Sequence, residues 1–529
     1  MMHPTNAANA RHARPGVAWF ERVLREEYGV GEHMTYAAFF QRTALRLPDK
    51  PALVCGDRSL TYAEAFDAIA ARAGFLQNGC GIQPGERVAL LMDNSELYQV
   101  WYLAVLALGA VSVPLNTRLT AREIAYQVSN AGARYIVSQQ KYAQVLKQVE
   151  VPVIDFDAPV PESQPRFDIA AAGVRTDAPA AIYYTSGTTG NPKGVVHTHR
   201  SLIASAVQGP DAWEYNAPDA VTLAMTPLFH IANHAWLLPV LHVGGTMVID
   251  TYRTDTVLDL ILRRGITHVF AVPTMLLLMA QQHAKKGGDF SQVRTVAFGA
   301  APMPPEKLAE VQRLFPQAAL VHGMGQTESC GTIVTLPSTL AFDKAGSVGV
   351  AIPGAEMRVA GPNGESLPPN EVGELVTRGA NVMSHYHEAA QATAETLKHG
   401  WLHTGDLGYL DEDGFLFLVD RKKDMIIRGG ENVYSSEVEN VLYMHPGVAQ
   451  AAVLAARSAL FGEEVFAFVV RRDPADETLD SEALRAHCAR YLADFKVPVE
   501  ISFLPALPQT ATGKIQKHVL REQLPERWR

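Results

Sequence analysis

The chain has 529 residues, a formal net charge of −9 and 19% charged residues. This length exceeds what one hydrophobic core usually supports, so more than one domain is expected. The acidic balance and the lack of a long basic run argue against nucleic acid as a partner.

The cysteine pattern and the hydropathy pattern both indicate a cytoplasmic protein. Four scattered cysteines show no metal-binding spacing, which predicts a reducing compartment without a disulfide framework. The first residues lack the apolar run of a signal peptide. The longest apolar run, Val100–Leu115, contains glycine, serine and proline and is too short to cross a bilayer. We therefore expect no stable membrane insertion.

Short apolar runs alternate with runs of helical period through the N-terminal part of the chain. Arg87–Met92 predicts a buried strand, and the following run predicts a helix that begins after Asn94 or Ser95 and ends near Gly109. This alternation predicts an α/β protein with largely parallel sheets. Further strands are predicted at Tyr135–Ser138, Ala180–Tyr184, His268–Val272 and Thr295–Ala300.

Two later segments differ in pattern. Val151–Pro179, rich in proline, aspartate and alanine, is interpreted as a surface connection between two subdomains. Gly414–Leu442 predicts a strand, a charged turn, a short strand, a Gly-Gly turn and a helix capped by Ser435 or Ser436. With strands at 448–456 and 464–472 and a helix around 481–492, this predicts a small α+β domain of roughly a hundred residues. Its boundary is expected within Asp420–Asp424.

The segment Thr185–Gly194 combines hydroxyl side chains, glycines and Lys193 directly after a predicted strand. Backbone amides and small hydroxyls can donate to phosphate oxygens where no bulky side chain intervenes, and Gly187 and Gly190 remove that bulk. The spacing does not match the phosphate loop of kinases and other nucleoside triphosphatases, because Lys193 is followed by Gly194. A surface turn is the alternative interpretation.

Taken whole, Tyr184–Ser201 resembles the signature loop of the adenylate-forming superfamily, which includes acyl-CoA synthetases, luciferases and adenylation domains of peptide synthetases. The resemblance covers roughly Thr35–Lys517. Further segments resemble the motifs of that family and occur in the same order: Thr226–Ala232, Phe298–Pro302, Gly323–Ser329, Gly400–Phe415, Asp420–Glu439 and Thr510–Lys517. The motifs match the acyl-CoA synthetase branch, and nothing in the sequence supports luciferase-type oxidation.

The resemblance implies a domain organisation. Residues 1–420 would form a large α/β domain, with parallel-rich sheets, packed helices and a distorted barrel, that carries the ATP and acyl sites. Residues 421–529 would form a small mobile α+β lid domain that carries the catalytic lysine, with a hinge near Lys423. The lid would alternate between two closures, one for each half-reaction.

The resemblance also implies the chemistry. A carboxylate is a poor acyl donor, and transfer to AMP gives it a phosphate leaving group. The first step would form acyl-AMP from ATP with release of pyrophosphate, and the second would transfer the acyl group to coenzyme A. Cations must offset the repulsion between the acid and the α-phosphate, which points to Mg²⁺ and lysine.

Residues for the first step follow from the family motifs. Thr327 would bind the α-phosphate, Glu328 would ligate Mg²⁺, and Lys514 would bridge the carboxylate and the α-phosphate. The alternatives are a solvated tail lysine for Lys514 and a plain helix start for Thr327 and Glu328. The β- and γ-phosphates would be held by the loop residues Thr185, Ser186, Gly187, Thr188, Thr189, Gly190 and Lys193.

The nucleoside would be held by two further groups of residues. Asp406 and Arg421 would bind the ribose, although a turn aspartate and a solvated arginine are the alternatives. Met324 stands where the family usually has an aromatic residue against adenine, and a methionine keeps a polarizable face there. The adenine site would be completed by Gly299, Ala300, Ala301, Pro302, Gly323, Gly325 and Gln326.

Residues for the second step lie in three places. Lys423 would be the hinge residue, and Gly429, Gly430 and Glu431 would line the pantetheine tunnel, where glycine lets a thin arm pass close to the backbone. His230 would be the gate between the acyl pocket and this tunnel. A structural histidine is the alternative.

The identity of the acid is the least specified point. No aspartate lies near His230, so an α-amino acid is not expected. The glycines of the acyl region suggest a roomy apolar cavity, which favours a medium- or long-chain fatty acid and a role in fatty acid metabolism. The alternatives are an aryl or arylalkenyl acid, or an acyl-AMP ligase that loads a carrier protein. The predicted pocket comprises Ala232, Asn233, His234, Trp236 and Gly331.

A non-catalytic relative is disfavoured, because every charged residue assigned above is intact, namely Lys193, Glu328, Asp406, Arg421 and Lys514. The expected partners are a small carboxylic acid, ATP and coenzyme A. Assembly into a homodimer is left open.

Overall fold

The computed structural model describes residues 16–161, 164–185, 192–215, 217–299, 303, 305–476, 478–509 and 515–529. The helices are α1 (Val17–Glu26), α2 (Tyr36–Arg46), α3 (Tyr62–Gly74), α4 (Glu96–Ala107), α5 (Ala121–Ala131), α6 (His199–Ala212), α7 (Leu238–Val243), α8 (Val257–Arg263), α9 (Pro273–Lys286), α10 (Pro305–Leu314), α11 (Ala390–Thr396), α12 (Ser435–Tyr443), α13 (Ser481–Cys488) and α14 (Lys517–Glu522). Short π-helical turns lie at Phe75–Gly79 and Asn233–Leu237, and 3₁₀ turns lie at Gln140–Tyr142, Val145–Gln148, Thr327–Ser329, Ser338–Leu340, Asp494–Lys496 and Glu526–Trp528.

The strands are β1 (Pro51–Cys55), β2 (Arg58–Thr61), β3 (Arg87–Leu91), β4 (Val111–Pro114), β5 (Ala133–Ser138), β6 (Val153–Asp155), β7 (Pro179–Thr185), β8 (Lys193–Thr198), β9 (Val221–Ala224), β10 (Thr246–Ile249), β11 (His268–Ala271), β12 (Thr295–Gly299), β13 (Ala319–Gln326), β14 (Gly331–Leu336), β15 (Val350–Ala351), β16 (Ala355–Ala360), β17 (Gly373–Gly379), β18 (His385–Tyr386), β19 (Leu397–Lys398), β20 (Trp401–Leu410), β21 (Leu416–Arg421), β22 (Ile426–Arg428), β23 (Glu431–Val433), β24 (Val448–Ser458), β25 (Gly462–Arg471) and β26 (Glu500–Phe503).

The first compact unit of the chain runs up to Met357 and includes Val376–His403 and Glu412–Leu416. It contains two sheets. Sheet A has the strand order β18-β8-β7-β4-β3-β5-β6, and sheet B has the order β15-β14-β13-β12-β11-β9-β10-β1-β2. Their central strands pair in parallel, whereas β8, β14 and β15 pair antiparallel with their neighbours. The α/β class with parallel-rich sheets is confirmed.

Helix α4 illustrates why these elements form where they do. The hydroxyl of Ser95 accepts a hydrogen bond from the Tyr98 amide at 3.1 Å, and Gly109, just beyond the helix, has φ 76°. All residues of α4 are buried, which explains its apolar sequence on every side. The predicted strand–helix pair at 87–109 is confirmed.

The interpretation of Val151–Pro179 as a connection between two subdomains is wrong. The segment contributes β6, which pairs in parallel with β5, and it leads into β7 of the same sheet. This proline-rich segment forms the edge strand β6 and then the connection that leads back across the same sheet to β7. The apolar alternation within β6 is too short to stand out in the sequence.

The second compact unit comprises Arg358–Leu375, Thr404–Asp411 and Phe417–Arg529. Its sheet has the order β23-β22-β25-β24, with β26 paired in parallel to β25. Helix α12 packs on β24, and the core between them is formed by residues such as Val438 and Val453. A separate sheet, which is not confined to this unit, has the strand order β16-β17-β20-β19, with β21 paired to β20. The predicted α+β character of the C-terminal part is confirmed.

The N-terminal cap of α12 differs from the prediction that Ser435 or Ser436 caps it. Tyr434 occupies the N-cap position and offers no side-chain cap. Asp420, at the end of β21, instead accepts hydrogen bonds from the amide of Ser435 and, at 3.1 Å, from its hydroxyl. A carboxylate from a distant part of the chain therefore satisfies the helix start, which local sequence could not reveal.

Within the described residues, no helix is both long enough and apolar enough to cross a membrane.

Candidate functional site

Strands β7 and β8 frame the predicted phosphate loop. Thr185 and Lys193 are opposite each other in the antiparallel register, so the chain leaves β7 and enters β8 at one point. The predicted loop residues Ser186, Gly187, Thr188, Thr189 and Gly190 lie outside the described residues. Lys193 is half-buried, and its Nζ lies 5.2 Å from the ring centroid of Tyr386.

Thr327 and Glu328 lie in a short 3₁₀ turn that follows β13. The turn ends at Cys330, which has φ 53°, and β14 begins at the next residue. The two residues begin a short 3₁₀ helix, so the alternative of a plain helix start stays open beside the ligand-binding prediction. Both side chains are half-buried, at the end of a parallel strand, which is a common position for ligand-binding residues.

Two contacts from β8 and its helix fix the backbone of this turn. The Nε2 of His197 lies 2.7 Å from the carbonyl oxygen of Thr327, and its Nδ1 lies 3.2 Å from the Ser201 hydroxyl. Burial lowers the pKa of His197 to about 4, so the ring is neutral and Nε2 carries the proton that it donates. No role was predicted for His197 from the sequence, although it lies within the Tyr184–Ser201 signature segment.

Glu328 is held from a second direction by the segment around β18. Its Oε1 accepts a hydrogen bond of 2.7 Å from the hydroxyl of Tyr386, and its carbonyl oxygen accepts one of 2.8 Å from the Met383 amide. Tyr386 therefore contacts both Lys193 and Glu328, the predicted phosphate-binding lysine and magnesium ligand. Neither residue of this segment was singled out from the sequence.

The predicted ribose-binding residues lie together in the second unit. The Nε of Arg421 is 3.0 Å from Oδ1 of Asp406, and Asp406 is 5% exposed. The amide of Asp406 donates to the Thr404 hydroxyl at 3.1 Å, which orients the strand at this point. An aspartate with a fixed position and an arginine beside it suit recognition of a diol. Their ribose role stays a prediction.

The predicted hinge and thiol-channel residues are also in the second unit. Lys423 is exposed, and Gly429 and Gly430 have φ values of 59° and 91° in the turn between β22 and β23. That positive φ alone accounts for glycine at both positions. Glu431 is exposed at the start of β23. Lys514, the predicted catalytic lysine, lies outside the described residues.

The predicted adenine wall is partly described. A methyl group placed on Gly299 would lie 2.3 Å from the carbonyl oxygen of Gly323, so the two neighbouring strands require glycine there. Met324 and Gln326 are half-buried and Gly325 is exposed. The residues 300–302 lie outside the described residues, and the adenine assignment stays a prediction.

Three of the acyl-site glycines have close neighbours at the point where a Cβ atom would stand, and the predicted roomy cavity stays a prediction. A methyl group on Gly323 would lie 2.2 Å from the Trp213 ring, and one on Gly331 would lie 2.3 Å from Cβ of Ala235. One on Gly325 would lie 1.5 Å from the Gly331 carbonyl oxygen. These glycines accommodate the close approach of neighbouring groups, which only three-dimensional placement reveals.

Three of the predicted acyl-pocket side chains already have partners inside the core. Asn233 exchanges hydrogen bonds with Gln99, and Nε2 of His234 lies 2.5 Å from the Tyr102 hydroxyl. Trp236 donates from Nε1 to the Thr222 hydroxyl at 2.9 Å. All three predicted residues are fully buried, whereas Ala232 is half-buried.

His230, the predicted gate, is solvent-exposed at the end of the Thr226–Ala232 motif. Its Nδ1 accepts a hydrogen bond of 3.2 Å from the Ala232 amide, which places the proton of the neutral ring on Nε2.

Comparison with known protein families gives two matches along the chain. Residues 40–387 match the model of the AMP-binding enzymes, and residues 437–514 match the model of the AMP-binding enzyme C-terminal domain. The second match ends at Lys514, within the Thr510–Lys517 motif.

Similar proteins include CoA ligases of aromatic acids and a carrier-protein ligase. A feruloyl-CoA synthase from Amycolatopsis sp is 36% identical over 91% of this chain and 97% of its own length. A fatty acid–[acyl-carrier-protein] ligase from Streptomyces coeruleorubidus is 35% identical over 90% of this chain and 94% of its own length.

Solved structures of the o-succinylbenzoate CoA synthetase from Bacillus subtilis have the same fold. The complex with its acyl-adenylate superimposes with a TM-score of 0.83 at 31% identity, covering 93% of this chain and 98% of that one. The complex with ATP and magnesium ion gives a TM-score of 0.82 at 31% identity, covering 91% and 99%. The resemblance inferred from the sequence motifs is confirmed, and the chain belongs to the AMP-binding enzymes, in the acid–CoA ligase branch of the adenylate-forming superfamily.

Proposed function

We propose that this enzyme activates an aromatic acid, an aryl or arylalkenyl carboxylate, as its acyl-AMP and transfers it to coenzyme A. ATP and Mg²⁺ serve the first step. The acid differs from the medium- or long-chain fatty acid expected from the glycine content, because the acyl-site glycines have close neighbours and similar CoA ligases are named for aromatic acids. A fatty acid is thereby the less favoured substrate.

The contact between Trp213 and Gly323 carries this proposal. Trp213 is 3% exposed, and its Nε1 donates to the Ala235 carbonyl at 2.7 Å, so the indole has one orientation. Trp236 and Phe270 surround it, with ring centroids 5.5 Å and 5.8 Å away. A rigid aromatic cluster beside β13 favours a short, flat acid over an extended alkyl chain.

The relatives support the same substrate class. The feruloyl-CoA synthase and the o-succinylbenzoate CoA synthetase are named for acids that contain a benzene ring. The carrier-protein ligase is named for fatty acids and for a protein acceptor, so an acyl carrier protein is the second candidate acceptor.

The residues of the first unit fit a nucleotide-bound Mg²⁺. Among the described residues, no group of three or more histidine, cysteine, aspartate or glutamate side chains could hold a metal ion by itself. Mg²⁺ in nucleotide sites is typically held by one or two carboxylates together with phosphate oxygens and water. Glu328 supplies such a carboxylate, and the bound ion would offset the negative charge of the phosphates.

The roles of the chain's own residues then follow. Lys193 contributes positive charge to the phosphates, and Thr327 offers a hydroxyl to the α-phosphate. Lys514 brings a further cation to the acid and the α-phosphate in the first step. Gly429 and Gly430 leave room for the pantetheine arm in the second step.

The test is acid-dependent release of pyrophosphate with Mg²⁺ and ATP, measured with and without coenzyme A. Ferulate, coumarate, benzoate, 2-succinylbenzoate, hexanoate and palmitate are compared at equal concentrations. We expect pyrophosphate release with an aromatic acid. More than one turnover of the enzyme should occur only when coenzyme A is present. Cyclohexanecarboxylate, compared with benzoate, isolates the effect of a flat ring.

Two results would overturn parts of the proposal. Preference for palmitate or hexanoate over every aromatic acid would indicate that the substrate is a fatty acid. Formation of an aryl-AMP that coenzyme A does not discharge, but a phosphopantetheinylated carrier protein does, would keep the acid and change the acceptor. The Lys514→Ala variant is the negative control, because any pyrophosphate that it still releases does not depend on the predicted catalytic lysine.

A further inference from the structure

Tyr386 is anchored beside the predicted phosphate loop. In β18 it pairs with Val195 of β8, and the backbone amides of Ser384 and His387 donate to the carbonyls of Val196 and Gly194 at 2.9 Å and 2.7 Å. Its own side chain is 7% exposed. The strand that carries Lys193 therefore also fixes the position of Tyr386.

Two contacts of the Tyr386 side chain involve residues of the predicted phosphate and magnesium site. Its hydroxyl donates to Oε1 of Glu328 at 2.7 Å, and its ring centroid lies 5.2 Å from Nζ of Lys193. The first is a hydrogen bond to a carboxylate, and the second is a cation–π contact. These two partners come from β8 and from the turn after β13, and Tyr386 contacts both.

The protonation state of Tyr386 suits this arrangement. A phenolic hydroxyl is protonated at neutral pH, so it donates to the carboxylate oxygen. Because the hydroxyl holds Oε1, it restricts rotation of the carboxylate. The Glu328 backbone is held separately through the Met383 amide.

We propose that Tyr386 is a positioning residue that presents the Glu328 carboxylate to the Mg²⁺ of the bound nucleotide and holds Lys193 beside the phosphates. The inference rests on the proposed function, because it takes Glu328 as the magnesium ligand. It adds a residue that neither the sequence motifs nor the relatives' names assign. Tyr386 does not touch the reacting atoms in this proposal and acts through its two partners.

The competing explanation is purely structural. The ring of Tyr386 packs in a small core with Val195, Met383 and Leu402, so its loss could act through folding alone. The Tyr386→Phe variant separates the two explanations, because it keeps the ring and removes only the hydroxyl. Tyr386→Leu removes the ring contact with Lys193 as well.

The primary readout is metal binding without any acid. Mn²⁺ replaces Mg²⁺ as the probe, and its free concentration is followed by electron paramagnetic resonance in the presence of ATP. For Tyr386→Phe we expect the Kd of Mn²⁺ in the ternary complex to rise about tenfold, the size expected for one hydrogen bond to a charged group. Binding of ATP in EDTA, measured by calorimetry, should stay at the wild-type value.

Further variants test whether the loss of Mn²⁺ affinity arises through Glu328. Glu328→Gln should weaken Mn²⁺ binding more than Tyr386→Phe, and the double variant should be no weaker than Glu328→Gln alone. Tyr386→Leu should also weaken ATP binding in EDTA, because the Lys193 contact is lost. The matched control is Tyr252→Phe, which removes a hydroxyl that donates to the Met275 carbonyl at 3.3 Å.

Several outcomes would overturn the inference. Unchanged Mn²⁺ affinity in Tyr386→Phe, or an equal loss in Tyr252→Phe, would leave the tyrosine with a structural role. Additive losses in the double variant would show that the hydroxyl does not act through Glu328. A wild-type protein that binds Mn²⁺-ATP but activates no aromatic acid would refute the proposed substrate and leave this test intact.

Discussion

The imidazole of His197 donates from Nε2 to the carbonyl oxygen of Thr327 across 2.7 Å. The two residues are separated by 130 positions in the sequence, and the bond connects the strand after the phosphate loop to the turn after β13. The phosphate loop before this strand and the turn after β13 are both predicted to bind the nucleotide. The distance between them is therefore set by a buried neutral histidine that makes no predicted contact with the nucleotide.

Replacement of His197 by leucine should weaken nucleotide activation. The Thr327 carbonyl loses its donor, and we expect a stability loss of about 1–3 kcal/mol. Because the turn also carries Glu328, acid-dependent ATP–pyrophosphate exchange should fall at least about tenfold, which corresponds to 1.4 kcal/mol. His268→Leu is the control, since it removes another buried histidine with a hydrogen-bonding partner, the Thr267 hydroxyl at 2.7 Å. Equal losses of exchange in both variants would contradict a specific role.

The Gly323–Trp213 contact predicts a compensating pair of substitutions. Gly323→Ala places a methyl group against the indole and should cost about 1–3 kcal/mol of stability through overpacking. Trp213→Leu should relieve most of that cost in the double variant, so the two effects on the thermal midpoint will not add. Trp213→Leu alone should improve kcat/KM for hexanoate relative to benzoate by about tenfold per accommodated methylene. Additive midpoints, or an unchanged ratio, would argue that this contact does not limit the acid.

Acid should destabilise the protein between about pH 6.5 and pH 4. Burial lowers the pKa values of His197, His268 and His322 to about 4, and the unfolded chain returns them to about 6.5. Within that window the unfolded chain binds protons that the folded chain excludes, so stability is retained above it and falls as pH decreases. Each such histidine contributes about 1.4 kcal/mol per pH unit. His242, stacked on Phe39 and with its pKa likewise lowered to about 4, offers the test. The thermal midpoint of His242→Phe should depend less on pH than that of the wild type, and an unchanged slope would contradict the assignment.

Lys514 should serve only the first half-reaction. We expect Lys514→Ala to lower formation of acyl-AMP by at least about a hundredfold, because a cation no longer offsets the charge of the acid and the α-phosphate. Transfer from synthetic acyl-AMP to coenzyme A should remain close to the wild-type rate. Both half-reactions are followed separately in single-turnover experiments. A similar decrease in the two rates would place the lysine in a role common to both.

The sequence allowed the family and the local elements to be predicted, because both are encoded in contiguous residues. The helix of α4 begins beside Ser95 and ends before Gly109, as its capping residues indicated. The paired positions of Asp406 and Arg421 also agree with a shared site, since their motifs are specific.

Relationships across the chain could not be predicted in the same way. The acyl-site glycines indicated open space in the sequence, but Trp213 and Ala235 lie directly against Gly323 and Gly331 in the fold. Tyr386 and His197 act on the candidate site from positions far from Glu328 and Thr327 in the sequence. The sequence shows which side chains are small, but only the packed structure shows which groups lie next to them.

The cap that Asp420 provides for α12 bears on the rotation predicted at Lys423. Asp420 precedes that position and Ser435 follows it, so a turn about Lys423 separates the carboxylate from the helix start. A cap is worth about 1 kcal/mol, which corresponds to roughly a fivefold difference between two populations. The conformation described for this hinge segment is therefore the one with the capped helix. We expect substitution of Asp420 by alanine to shift the balance of the predicted rotation at Lys423 without any change to a predicted substrate-binding residue.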